Sequence, residues 1–145
     1  MTDLTGLHVL IMATDRFEES ELFGPRERLL AAGAEVSLAS LKKRPIQATV
    51  HDEPGKTITP DMMLGEVDAA GKPVAAICHG PWLLAEADIV RGRTVTSWPS
   101  IRTDLKNAGA TVVDEEAVTD GNIITSRNPS DVPAFTDALI KALKS

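Results

Sequence analysis

Three observations predict a doubly wound α/β fold, a mostly parallel sheet with helices on both faces. Short apolar runs without polar alternation recur at residues 7–13, 34–39 and 74–77, the pattern of strands buried on both sides. Helical patterns separate them, beginning with residues 20–32, where Leu22, Leu29 and Leu30 mark apolar positions and Gly33 supplies the stop. The chain then closes on an amphipathic helix at 133–143, with Phe135, Leu139, Ile140 and Leu143 on one face. A strand–helix–strand beginning with this spacing is the start of a parallel sheet.

Each remaining element follows from local chemistry. Residues 14–19 read as a polar loop, and Gly24-Pro25 should kink the first helix or restart it at Pro25. Residues 46–58 predict a hairpin turning at Asp52-Glu53-Pro54-Gly55. A short helix is expected over 61–67. The run at 74–77 is a strand, and Gly80-Pro81 opens a helix to about Ala87, because proline suits a first helical turn. Residues 94–97 are a strand and 99–108 a helix ending at Gly109. Strand-like stretches at 111–113 and 117–119 precede a turn at Asp120-Gly121 and a strand at 123–126.

Composition narrows the function. The 145 residues predict a single domain, 1–145, with 43% hydrophobic and 25% charged content. A net charge of −6 argues against a nucleic-acid or anionic-membrane partner. One cysteine excludes an intramolecular disulfide and a multi-cysteine metal site. No cofactor or metal is expected: His8 reads as structural, His51 as exposed, and scattered histidines do not make a metal site. Residues 7–13 are too short, and lack a basic leader, for a signal peptide; a cytoplasmic protein is expected.

The chemistry concentrates at Ile77-Cys78-His79-Gly80-Pro81. Cys78 falls between a strand's C-terminal end and a helix start, where open α/β sheets bind ligands and where a sharp turn can display a nucleophile. A helix terminus contributes only about 0.3–1 kcal/mol, too little to ionise a thiol fully at neutral pH. A second group is therefore required. Glu18, on the loop after the first strand, is one candidate: a protonated carboxyl there donates a hydrogen bond to a thiolate, whereas an ionised one repels it. Solvation or helix capping explains Glu18 equally well. His79 is the other candidate, but sequence neighbours seldom face each other in regular structure, and a role lining a pocket or meeting a partner subunit is as well supported. Trp82 and Trp98 could line a pocket; a core or interface role fits each better.

These segments, taken together, resemble the PfpI-like intracellular cysteine protease family. It is related to the parkinsonism-associated deglycases and the class I glutamine amidotransferase-like superfamily. The resemblance rests on Phe17-Glu18-Glu19-Ser20-Glu21, on Gly71-Lys72-Pro73-Val74-Ala75-Ala76-Ile77-Cys78-His79-Gly80-Pro81, and on Val90-Arg91-Gly92-Arg93. It continues through Thr96-Ser97-Trp98-Pro99-Ser100, Asp120-Gly121-Asn122 and Ser126-Arg127. It implies a flavodoxin-like fold, Cys78 as nucleophile, Glu18 as the acid bonded to it and His79 as base. It also implies hydrolase or lyase chemistry on peptide or reactive-carbonyl substrates, of peptidase, glyoxalase or deglycase type, in a homo-oligomer. The alternative is a non-catalytic stress-response redox sensor or chaperone with an oxidisable cysteine.

One departure accompanies the resemblance. Between Asp68-Ala69 and Gly71-Lys72 the family pattern carries a further strand ending in Pro-Gly-Gly and then a helix, and here roughly 30–40 residues are lacking. Those glycines supply oxyanion N–H groups in the family, and a partner-subunit acid comes from the same region. Neither has a counterpart in this chain. The nucleophile strand is then expected to pair directly with the first strand or with another chain.

Overall fold

A computed structural model describes residues 2–63 and 72–145. The chain divides into two compact units, Met1–Asp68 and Ala69–Ser145. In the first unit the apolar run at its start forms β1 (His8–Met12), which lies parallel to β3 (Glu35–Ser40), with Val9 opposite Val36 and Ile11 opposite Leu38. The helix α1 (Glu19–Ala31) connects them and packs on β3. It runs unbroken through Pro25 rather than restarting there. Gly33 ends it at φ +92°, and a Cβ at that position would sit 2.8 Å from the Thr5 hydroxyl, so the stop demands glycine twice over.

Three predicted features are corrected in this unit. The loop at 14–19 contains a two-residue strand, β2 (Phe17–Glu18), parallel to β4 (Ile46–Val50). Phe17 packs against the apolar cluster of Leu22, Leu38 and Ile46, and that burial draws the polar stretch into a sheet. The hairpin of β4 and β5 (Glu53–Ile58) forms, but it turns at His51-Asp52, both at positive φ, not at 52–55. Two successive left-handed residues match the right-handed twist of paired strands. Pro54 and Gly55 belong to β5. The helix expected over 61–67 begins instead as a strand, β6 (Met62–Met63), parallel to β3. There the Asp61 carboxylate and amide both bond the backbone of Leu38, which commits the segment to extended pairing. The rest of that expected helix lies outside the described residues.

The second unit holds β7 (Val74–Ile77), matching its sequence bounds, then α2 (Pro81–Glu86). Next come β8 (Thr94–Val95), a 3-10 turn at Pro99–Ile101 and α3 (Arg102–Asn107). The unit ends with β9 (Thr111–Val112), β10 (Val118–Asp120), β11 (Ile123–Ser126) and α4 (Val132–Lys144). The β7 strand lies parallel to β11, with Ile77 opposite Ser126, and β10 pairs antiparallel with β11. All four residues of β11 are buried, as a strand covered on both faces must be. Phe135 and Leu139 of α4 are buried too, and that helix packs on β11. Among the described residues β1 and β7 each stand at an edge of their own sheet, and the strand paired with β7 is β11. No described helix is long and apolar enough to cross a membrane.

Candidate active site

Cys78 directly follows β7 and turns the chain toward α2. Its φ is +62°, a left-handed conformation that costs a residue with a Cβ about 1–2 kcal/mol. The turn is held from two sides. The Cys78 amide donates to the Ser126 carbonyl at 3.1 Å, and the Trp98 amide donates to the Cys78 carbonyl at 2.9 Å. Strain persists only where surrounding structure over-determines it, and such places cluster at functional sites. Gly80 closes the turn: its amide reaches the Ile77 carbonyl at 2.8 Å, and a Cβ would lie 2.9 Å from that same oxygen.

The sharpness of this turn brings sequence neighbours together. His79 Nδ1 lies 3.3 Å from Cys78 Sγ, within hydrogen-bond reach of sulfur. The periodicity argument against neighbouring residues meeting holds for regular helices and strands; it does not hold at a left-handed residue. Cys78 is partly exposed and His79 is exposed, so an incoming carbonyl group can reach the pair. The His79 ring has two aromatic neighbours, Trp82 at 5.5 Å and Trp98 at 5.9 Å between centroids. Both tryptophans are surface residues, 46% and 38% exposed, which removes the core role expected for them.

Glu18 belongs to the first unit, at the end of β2, where its carboxylate accepts the His51 amide at 3.4 Å. His8 is exposed and bonds the Ser37 hydroxyl through Nε2 at 2.7 Å. Among the described residues, no group of three His, Cys, Asp or Glu side chains could hold a metal ion.

A charged network braces the strand that anchors the nucleophile, and sequence reasoning gave it no role. Directly after Ser126, Arg127 makes a two-pronged bond to Asp131, Nε to Oδ2 at 2.9 Å and Nη2 to Oδ1 at 3.0 Å. Asp131 also accepts the Arg127 amide, and its side chain is almost wholly buried. Burial alone would raise the Asp131 pKa, but the Arg127 hydrogen bonds outweigh it and hold the carboxyl below its ordinary value. Arg127 and Arg102 converge on Asp114, at 3.0 and 2.9 Å, and lower its pKa likewise. The signal was present in the spacing: an arginine and an aspartate four apart across Asn128-Pro129 can meet at a helix start.

Fold and turn together define an α/β protein that displays a cysteine on a strained strand-to-helix elbow. The DJ-1/PfpI family pattern matches residues 7–70 and 68–142, and the chain belongs to that family. A deglycase of Pyrococcus abyssi is 35% identical over 170 aligned positions, covering 95% of this chain and all of the relative. The protein/nucleic acid deglycase 2 of Escherichia coli is 34% identical, covering 93% of this chain and 96% of the relative. Among solved structures, a two-domain protein of Anabaena variabilis with DJ-1/ThiJ/PfpI-like and ferritin-like domains gives a TM-score of 0.87 at 29% identity. That match covers 95% of this chain and 48% of the longer one. The family match breaks at residues 68–70, where the sequence departs from the family pattern.

Proposed function

We propose that this chain is a deglycase or hydrolase of the DJ-1/PfpI type whose nucleophile is Cys78, acting on reactive-carbonyl adducts or peptides. The observation that carries the reading is the 3.3 Å approach of His79 Nδ1 to Cys78 Sγ at a left-handed elbow. The names of the relatives support the reaction class.

In this reading the thiol proton passes to His79 as Sγ attacks the carbonyl carbon. The S–C bond forms and the π pair moves to oxygen, leaving a covalent tetrahedral adduct. For a peptide, collapse breaks the C–N bond on the attacked carbon. The imidazolium returns its proton to the departing nitrogen, and water hydrolyses the remaining thioester to the acid and the free thiol. The developing oxyanion needs donors. In elbow enzymes one is the amide of the residue after the nucleophile, here His79, whose N–H has no acceptor among the described residues. Losing a single oxyanion donor reduces a rate about 10²–10³-fold, so this chain, without the paired glycines, should turn over more slowly than relatives that carry them. Glu18 enters through the family resemblance as an acid that tunes the thiol.

The test is consumption of methylglyoxal and release of amine from a glycated peptide by wild type and Cys78→Ser. Turnover that Cys78→Ser lacks supports the reading. Equal rates would overturn it, and no turnover accompanied by rapid peroxide oxidation of Cys78 would replace it with the redox-sensor alternative.

A further inference from the structure

His79 is exposed, and an exposed imidazole ordinarily samples several rotamers. A base that wanders is a poor one, since proton transfer requires a held geometry. Yet the ring is not alone on the surface. Trp82 lies in the first turn of α2 with its ring 5.5 Å from the imidazole, and its indole N–H donates to Asp104 Oδ2 of α3 at 2.9 Å. Trp98 stacks near the same ring at 5.9 Å and 30°, and its backbone amide holds the Cys78 carbonyl. One tryptophan is thus fixed by a carboxylate on a neighbouring helix, and the other by the turn that presents the nucleophile.

Resting on the reading of Cys78 and His79 as a reacting pair, we propose that Trp82, pinned by Asp104, and Trp98 are positioning residues. They hold the His79 ring with Nδ1 toward Cys78 Sγ. The two indoles face the imidazole from different parts of the chain, so rotation of His79 away from the thiol gives up an aromatic contact. The N–H bond to Asp104 limits rotation of Trp82 itself. The arrangement explains why two large aromatic residues remain half-exposed: their faces are used on the histidine and not in the core. It also makes the α2–α3 packing part of the reactivity of the thiol, because Asp104 is the link between them.

The experiment reads the pair without requiring a substrate. Alkylation of Cys78 by iodoacetamide is followed by intact mass from about pH 5 to about pH 9, with circular dichroism as the check on folding. The variants are His79→Ala, Trp82→Ala, Trp82→Phe, Asp104→Ala, Asp104→Asn and the double variant Trp82→Ala/His79→Ala. Trp82→Ala is expected to slow alkylation near neutrality roughly 3- to 10-fold, a part of the His79→Ala loss, and to add nothing in the His79→Ala background. Trp82→Phe and Asp104→Ala fall between Trp82→Ala and wild type. Asp104→Asn, whose amide oxygen still accepts the indole N–H, stays near wild type.

A wild-type pH profile in folded Trp82→Ala overturns the proposal, as does an equal loss in the His79→Ala background. Should Trp82→Ala not fold, wild-type profiles from both Trp82→Phe and Asp104→Ala overturn it instead. If His79→Ala alkylates as fast as wild type, the reacting pair and its positioning fall together. If the alkylation differences stand while no carbonyl substrate is turned over, the positioning holds and only the enzymatic reading fails.

Discussion

Two turns in this chain use the same uncommon backbone conformation to different ends. At the β4–β5 hairpin, His51 and Asp52 take φ of 49° and 73°, and both are exposed. There the left-handed pair is what a two-residue hairpin needs, and water accommodates it. At the elbow, Cys78 takes φ 62° but is tied through both its amide and its carbonyl to other strands and loops. The hairpin conformation serves the connection between two strands. The elbow conformation serves a side chain, lifting Sγ out of the sheet and turning His79 back toward it. What separates them is where the stabilisation comes from: local geometry in one, distant residues in the other.

That contrast can be broken from several directions. Cys78→Gly should abolish turnover, by about 10³-fold or more. It should also leave the protein more stable than Cys78→Ala by about 0.5–1 kcal/mol, because only the glycine relieves the left-handed strain. Denaturant midpoints of the two variants, equal within error, would show that the elbow holds no strain.

Gly80→Ala should destabilise by about 1–3 kcal/mol, since its Cβ meets the Ile77 carbonyl at 2.9 Å. It should also slow Cys78 alkylation by displacing the turn. A fully stable, fully reactive variant would mean that the elbow is more pliant than its contacts indicate.

The brace below the elbow predicts a pH dependence. Asp131 is held below its ordinary pKa by Arg127 against the opposition of burial. Its contribution to stability is therefore complete above the usual carboxylate range and is lost as pH falls through the lowered folded value. Asp131→Asn should lower the melting temperature by several degrees at neutral pH, and the gap to wild type should narrow on acidification. A gap independent of pH would place the effect in packing rather than charge.

The smallest effect belongs to the hairpin. Asp52→Gly should raise stability by about 0.5 kcal/mol with turnover unchanged, as denaturant melts and the methylglyoxal assay would show.

Much of the elbow is legible in the sequence. The strands at 74–77 and 123–126 have the bounds that their apolar runs announce, because a strand buried on both faces has no polar positions to blur its ends. The first and last helices were equally plain from spacing and from Gly33. The hairpin turn was misplaced because proline and glycine are strong turn residues, yet Asp52 and His51 could take the required φ and the strand register decided otherwise. The strand at Phe17–Glu18 was hidden because two residues carry no period; Phe17 joins the sheet through tertiary packing. At the site, chemistry singled out Cys78, but the approach of His79 depends on one φ angle that composition does not encode. The contact of Trp82 and Trp98 with His79 depends on α3 and on the loop before it, far along the chain.

The tie between the Cys78 amide and the Ser126 carbonyl has a consequence for the order of events during synthesis. Cys78 is made well before β11, and until that strand emerges from the ribosome the left-handed turn lacks the bond between the Cys78 amide and Ser126. Domains generally form from the N-terminal side as the chain lengthens, but this nucleophile must wait for one of the last elements. A nascent chain ending short of residue 126 would carry the cysteine and the histidine and still be unarmed.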